Sequence, residues 1–375
     1  MARPRMTAPR PGELAPRLLV WFETSGRDLP WRRTRDSYRI WVSEVMLQQT
    51  QVERVQGYYE RFLASFPTLQ ALASSSIDDV LRAWAGLGYY RRAHDLHAAA
   101  RAIVARHQGQ FPRSYQAARA LPGVGAYTAG AVLSIAHGQR LPALDANARR
   151  ALARLLAEPA DNAASRARLQ RFGEVAVSER HPGAYNQALM ELGALLCLPR
   201  QPRCDRCPLG GLCRARRTGR ESAFPARRAG STRRAEAAVA VATRRGRVLL
   251  AQRPLKGVWG GLWEFPQAEV RGGERAAEVL ARTLWDGFGL RAQPGGVIAR
   301  LTYSIMNSRV ALAAYAFAVV GGRTRPRAHR DAAWVRPSEL AGLALPAPHR
   351  RLANQLAAGA PQTVSGGARP DEGRP

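Results

Sequence analysis

Leu121-Pro122-Gly123-Val124-Gly125-Ala126-Tyr127-Thr128 is the stretch from which the rest of this chain can be read. Ser114 is placed to cap a short helix over Tyr115 to Ala120, which Leu121-Pro122-Gly123 then breaks. After Gly125 a second helix is expected, with Ala129, Val132, Leu133 and Ala136 on one face and Gly138 as its stop. The two glycines permit a tight turn and leave N–H groups uncovered where the second helix starts. Free donors and the partial positive charge of a helix start hold a phosphate without any side chain. A plain corner between two packed helices has the same local sequence. What favours the phosphate is the carboxylate that follows, Asp145 in Leu144-Asp145-Ala146-Asn147, just beyond the second helix.

The 375 residues predict two or three domains, and a hydrophobic content of 46% is ample for packed cores. No apolar run approaches the ~20 residues of a membrane span, so no membrane partner is expected. Residues 1–12 are rich in Arg and Pro, lack the apolar core of a secretory leader, and read as a disordered arm. A cytoplasmic location follows from that reading. The net charge of +29 points to a polyanion, because a basic surface is rewarded by counterion release from phosphates. Lys256 is the only lysine among 57 basic residues, a bias that is partly compositional. It is also chemically sharp: cutting DNA through a Schiff base needs an amine near the carboxylates, and Lys256 lies far beyond Asp145.

Leu14 to Phe22 reads as an amphipathic helix, and Trp31-Arg32 offers either a stacking face with a donor or an aromatic anchor beside a solvated charge. Ile40 to Thr50 is helix-compatible and apolar, with one carboxylate inside it. On a helix Glu44 neighbours Ile40, Trp41, Leu47 and Gln48; such company desolvates it, raises its pKa and suits it to donate a proton near neutrality. The competing reading is a surface glutamate at a helix edge. Gln48, Gln49 and Thr50 are expected to continue the helix with polar side chains toward base edges. Gly86-Leu87-Gly88-Tyr89-Tyr90-Arg91-Arg92 interleaves wedges, stacking faces and charge, as a DNA contact or a helix junction. Asp145 or Asn147 also fits an N-cap of the helix expected over Ala148 to Ala157. Tyr185 to Leu196 is a further helix, carrying Asn186, Gln187 and Glu191.

All four cysteines fall in one window, Cys197-x6-Cys204-x2-Cys207-x5-Cys213, and therefore form a single site. Tetrahedral zinc usually pairs two short C-x-x-C elements or uses His, whereas this spacing, with Pro199, Pro202 and Pro208 inside it, suits a four-thiolate [4Fe–4S] loop. Zinc is the competitor.

With these pieces together the chain resembles the helix-hairpin-helix DNA glycosylases of the endonuclease III superfamily, and among them the adenine-specific branch that carries a Nudix-like domain. The resemblance runs from about Leu14 to residue 345. It is carried by Ser43 to Thr50, Gly86 to Tyr90, Leu121 to Gly125 and the cysteine spacing. Tyr127 stands where the lysine of endonuclease III stands, in keeping with the lysine count. The resemblance implies Glu44 as general acid, Asp145 as the carboxylate facing the deoxyribose, and Tyr127 and Asn147 beside them. It implies Trp31, Arg32, Leu47 and Gln187 around an extruded adenine. It implies Gln49, Thr50, Leu87, Tyr89, Leu121, Gly123, Val124 and Gly125 on the DNA. Ala146 replaces the family's usual glycine. The two carboxylates are expected to divide the work through opposed pKa shifts.

The implied function is removal of adenine opposite 8-oxoguanine (or guanine) from double-stranded DNA, leaving an abasic site in base excision repair. The chain would act as a nucleoid-associated monomer. Alternatives are a pyrimidine or thymine-mismatch glycosylase of the same superfamily, and a non-catalytic DNA-binding or iron–sulfur sensor protein, in which the Glu44/Asp145 pair has no purpose.

The second half reads as α+β: strands over 237–243 and 247–251, a helix from about Glu274 to Phe288, and strands over 297–303 and 309–319. Trp259-Gly260-Gly261-Leu262-Trp263-Glu264-Phe265-Pro266 resembles a Nudix fold. Aligned on Gly289, a Nudix hydrolase box falls on Glu274 and on Arg282 to Gly287, with Thr283 and Gly287 where metal-binding glutamates would stand, so no hydrolase is expected. A lesion-reading element aligns with Ile305-Met306-Asn307 and Ser308, so Asn307 and Ser308 are candidates. The expected architecture is multidomain: an all-α helix-hairpin-helix domain over 13–217 with its iron–sulfur loop at 197–213, a basic linker over 218–235, an α+β Nudix-like domain over 236–345, and a disordered tail over 346–375.

Overall fold

The computed structural model describes residues 9–159, 162–226 and 233–358. The chain divides into two compact units, Met1–Ser75 with His94–Ala229, and Ser76–Ala93 with Gly230–Pro375. The helices in chain order are α1 (Leu14–Ser25), α2 (Ser37–Leu47), α3 (Val52–Ser65), α4 (Leu69–Ser74), α5 (Ile77–Trp84), α6 (Arg91–Arg106), α7 (Tyr115–Arg119), α8 (Ala126–His137), α9 (Ala146–Leu156), α10 (Ala163–Ala176), α11 (Pro182–Leu195) and α12 (Arg214–Arg217). Their starts are written in the sequence: Asp36, Thr68, Ser76, Ser114, Asp145 and Asn162 each accept a backbone N–H of the helix that follows. The first unit is all-α. One of its cores gathers Leu14 and Leu18 of α1, Leu152 and Leu155 of α9, Leu169 of α10 and Leu189 and Leu192 of α11.

The second unit is built on a mixed seven-stranded sheet: β1 (Arg233–Arg244), β2 (Arg247–Gln252), β3 (Trp263–Glu264), β4 (Gln267–Glu269), β5 (Leu290–Ile305), β6 (Ser308–Gly322) and β7 (Asp331–Val335), in the order β3-β2-β1-β6-β5, with β4 on β1 and β7 on β2. β1 and β6 run parallel; the other pairs are antiparallel. Alternation along β1 sorts its side chains between two cores. Val239 and Val241 join Leu250, Phe265 and Leu312 on one face, whereas Ala238, Ala240 and Ala242 meet Leu280, Leu284 and Phe288 of α13 (Ala276–Phe288) on the other.

The first face is closed by α14 (Ala347–Ala357), whose Leu352 and Ala353 are each 1% exposed. This corrects the expected disordered tail: its Pro/Ala-rich composition hides an apolar Leu352/Leu356 spacing at one helical turn, and both leucines enter that core. Residues 359–375 lie outside the described residues. Two further boundaries differ. Residues 76–93 belong with the second unit, where the Asp78 carboxylate accepts Gln252 Nε2 at 2.9 Å and faces Arg330 at 3.5 Å. Within the stretches expected as arm and linker, Pro11–Glu13 and Glu221–Ala223 form 3₁₀ turns and Arg233 already begins β1. Residues 1–8 and 227–232 of those stretches lie outside the described residues. Among the described residues no helix is long and apolar enough to cross a membrane.

Candidate active site

The hairpin forms as its punctuation dictates. Ser114 Oγ accepts Ala117 N–H at the start of α7, and Gly138, at φ 65°, ends α8. Between the two helices Leu121 and Val124 turn inward, at 6% and 5% exposure, while Gly123 and Gly125 face out. Gly123 has φ 69°, and a Cβ there would lie 2.6 Å from the Cβ of Asp95, so both backbone angle and space require glycine. Gly125 is the N-cap of α8 and offers no side chain to cover its first N–H groups. Two residues on, Tyr127 points back into the fold.

There it meets Glu44. α2 is buried on most of its circumference, and Glu44 is 5% exposed. The Tyr127 hydroxyl donates to Glu44 Oε2 and also reaches Met190 Sδ at 3.4 Å. Burial pushes the Glu44 carboxyl up to about 7; the Tyr127 hydrogen bond lowers it, the Asp145 charge raises it further and Arg32 lowers it. Tyr127 is held well above its ordinary value by burial and by the charges of Glu44 and Asp145, so one hydroxyl feels both carboxylates. Asp145 caps α9: its Oδ1 accepts Ala148 N–H at 2.6 Å. Cap and candidate site residue are therefore the same side chain. Burial raises its pKa too, opposed by the N–H groups of Ala148 and Asn147 and by Arg149 and Arg150. The expected opposition of shifts is thus corrected: both carboxyls rise, because both are desolvated, and the difference lies in how strongly each rise is countered. Ala146 occupies the first helical position of α9, which needs no glycine. Asn147 Oδ1 accepts Arg150 Nη2 at 2.9 Å.

The remaining predicted residues divide. Trp31 is 6% exposed and packs edge-on against Tyr59 at 5.4 Å. Arg32 is bound bidentately by Glu191, at 2.9 and 3.2 Å, and lies over Phe22. Leu47 and Gln187 are half-buried. α2 ends at Leu47: Gln48 is extended and Gln49 has φ 59°, which corrects the expected continuation of the helix through Thr50. Gln49 is exposed, and Thr50 Oγ1 donates to the Gln48 carbonyl at 3.4 Å. In the second unit Leu87 is 5% exposed and so packed rather than projecting, while Tyr89 is 59% exposed with Arg92 over its ring. Asn307 and Ser308 lie at the β5–β6 turn, where the Asn307 carbonyl accepts Arg233 N–H. Glu274 sits ahead of α13 and faces Arg282.

Sequence reasoning missed the Glu191 clamp. This carboxylate, 1% exposed by its side chain, takes Arg27 at 2.8 Å and Arg32 at 2.9 Å, and they hold it down at about 2 against the desolvation that would raise it. The signal available was the one used for Glu44, a lone acid amid apolar helix residues, here Ala188 to Leu192.

The cysteines follow α11 directly. Cys204 opens a 3₁₀ turn and Cys213 precedes α12; all four thiols are free and half-buried. Each of Cys197, Cys204 and Cys213 raises the pKa of Cys207 by its charge, which brings the four thiols into one neighbourhood. Arg154, 3% exposed, reaches Cys197 Sγ at 3.4 Å and the carbonyls of Leu198, Pro199, Glu221 and Phe224. A buried guanidinium against clustered sulfurs fits thiolate ligands of an anionic group. Among the described residues no three His, Cys, Asp or Glu close on a point for a single metal ion.

Residues 42–174 match the model of the HhH-GPD superfamily base excision DNA repair proteins, and residues 237–355 match that of the NUDIX domain. The all-α unit is similar to the solved structure of a thermostable thymine-DNA glycosylase, 27% identical, TM-score 0.50, covering 56% of this chain and 97% of that one. Fold and site thus define a helix-hairpin-helix base-excision repair domain joined to a NUDIX domain. The chain is similar to curated adenine DNA glycosylases: that of Homo sapiens is 38% identical over 306 residues (66% of this chain, 56% of that protein), and that of Schizosaccharomyces pombe 33% over 315 residues (67% and 68%). The chain belongs to the adenine DNA glycosylase family. It spans 56 to 63% of the length of the human, rat and mouse relatives.

Proposed function

We propose that this chain is a monofunctional glycosylase that hydrolyses the N-glycosidic bond of adenine opposite 8-oxoguanine or guanine in duplex DNA and leaves an abasic site. The supporting observation is the buried Glu44 carboxyl, near pKa 7, sharing the Tyr127 hydroxyl's surroundings with Asp145. The hairpin N–H groups take backbone phosphates, and the target nucleotide leaves the stack at a cost of a few kcal/mol, least where pairing is already weak. Adenine is a poor leaving group. Glu44, protonated near neutrality, gives its proton to the purine N7 as the bond stretches. The sugar becomes oxocarbenium-like, and Asp145, whose pKa burial raises while two backbone N–H groups and two arginines oppose that rise, stabilises the charge as its carboxylate. Glu44, now ionised, takes a proton from the water that adds to the anomeric carbon. The side chain that α8 presents to Glu44 is Tyr127, a phenol and not an amine, and Lys256 is the only lysine of the sequence, which supports base removal without strand cleavage.

Gln49, Thr50, Leu87 and Tyr89 are read as strand contacts, Trp31, Arg32, Leu47 and Gln187 as adenine-pocket residues, and Asn307 and Ser308 as the lesion-reading turn. Cys197, Cys204, Cys207 and Cys213 would hold a [4Fe–4S] cluster, supported by their nearness to one another and by buried Arg154 at the Cys197 sulfur. A cluster held there would cross-link the loop, whose arginines at 200, 203 and 206 are read as phosphate contacts, and no step of glycosidic cleavage is routed through it. Nucleoid-associated action as a monomer completes the reading. Single-turnover assays on 8-oxoguanine:adenine duplexes are expected to give free adenine, with strand breaks only after alkali. Release of thymine or an oxidised pyrimidine instead overturns the substrate assignment.

A further inference from the structure

The Tyr127 hydroxyl carries one proton and has two acceptors, Glu44 Oε2 on α2 and Met190 Sδ on α11. The helix that carries the second acceptor is held in place from several directions. One turn before it, Asn186 donates to Ser134 Oγ and the Leu141 carbonyl, both at 2.8 Å, and accepts Ala143 N–H at 3.0 Å. The residue after it, Glu191, is fixed by Arg27 and Arg32. α11 lies so close to its neighbours that a Cβ on Gly183 would stand 2.7 Å from Ile135 Cα, and one on Gly193 would stand 2.7 Å from Asn147 Cβ. These contacts fix the stretch of α11 from which the Met190 side chain reaches the hydroxyl.

From this arrangement we infer that Met190 is a positioning residue, whose thioether competes with Glu44 for the Tyr127 proton and so keeps the Glu44 carboxyl protonated. A thioether is a weak acceptor, and a shared hydroxyl is a weaker donor to either partner than one committed to a single oxygen. The groups facing Glu44 are Tyr127 from α8, Asp145 from the start of α9 and Arg32 from the turn before α2. Of these the Tyr127 bond stabilises the ionised carboxylate, so drawing its proton toward sulfur favours the acid form. Met190 touches none of the reacting atoms; it acts through Tyr127. The inference rests on Glu44 being the acid of the proposed reaction.

The test replaces the sulfur without losing volume. In Met190→Leu the Tyr127 proton goes wholly to Glu44, and the basic limb of the single-turnover pH–rate profile moves down by about half a pH unit, roughly a threefold loss of rate at pH 8. In a Tyr127→Phe background the same substitution produces no shift, which a packing effect would not reproduce. Infrared titration of the Glu44 carboxyl, assigned by its disappearance in Glu44→Gln, must show the same movement without DNA. Met190→Ile serves if leucine is not accommodated. An unmoved limb and carboxyl, or a shift that persists in the Tyr127→Phe background, overturns the inference. Absence of adenine release by the wild-type protein refutes the functional reading instead, and the infrared titration still decides the role of Met190.

Discussion

Glu44 and Glu191 are two glutamates of nearly equal burial and opposite fate, at about 7 and about 2. Desolvation raises both; only Glu191 has two guanidinium groups against it. The stability consequences have opposite signs. Glu44 has a folded pKa above its unfolded 4.5, so the native state binds more protons and stability falls as pH rises from about 4.5 to about 7, by at most roughly 3 kcal/mol. Urea titrations across that range should show the fall in the wild-type protein and its loss in Glu44→Gln. The contribution of Glu191 is present above about 4.5 and disappears as pH falls toward 2. Glu191→Gln leaves Arg27 and Arg32 without their carboxylate and should lower stability by roughly 3 kcal/mol, read as a reduced urea midpoint. Both acids were equally visible in the sequence as lone charges in apolar helices. What separates them is the approach of arginines from more than a hundred residues away, which no local pattern encodes.

The hairpin shows what local sequence does encode. Ser114, Pro122-Gly123 and Gly138 are cap, break and stop, and each acts within a few residues, so α7 and α8 were readable almost to the residue. The end of α2 was not: Gln48-Gln49-Thr50 contains no breaker, and the left-handed Gln49 is imposed by the fold. α14 is hidden for the converse reason: a Pro/Ala-rich composition masks the Leu352/Leu356 spacing that packs it on the sheet. The hairpin also makes an element-scale prediction. Gly123→Ala must strain φ 69° and press on Asp95, at a cost of about 1–3 kcal/mol. Urea unfolding should show that loss, and fluorescence anisotropy should show weaker binding to undamaged duplex as well as to mispaired DNA, as the proposed hold of the hairpin on phosphate requires.

At the scale of the whole molecule, charge and sulfur chemistry are the readable quantities. A net charge of +29 predicts DNA affinity that falls linearly on a log–log plot against salt, with a slope of about −0.9 per phosphate contacted. The four grouped cysteines predict a protein with a visible absorption band toward the blue that bleaches with acid. Iron and acid-labile sulfide should be present in equal amounts; a colourless zinc protein would contradict the cluster assignment. The division into an all-α unit and a mixed-sheet unit followed from the switch in hydrophobic period from helical to alternating. The placement of residues 76–93 in the second unit did not, because the contacts of Asp78 with Gln252 and Arg330 join distant parts of the chain.

The central claim is that one buried carboxyl, Glu44, protonates an adenine whose sugar faces Asp145. Single-turnover adenine release by Glu44→Gln on an 8-oxoguanine:adenine duplex, with binding measured on the same preparation, tests it most directly. The expected result is a rate at least ~100-fold below that of the wild-type protein with affinity for the duplex retained. A variant that binds and releases adenine at the wild-type rate contradicts it.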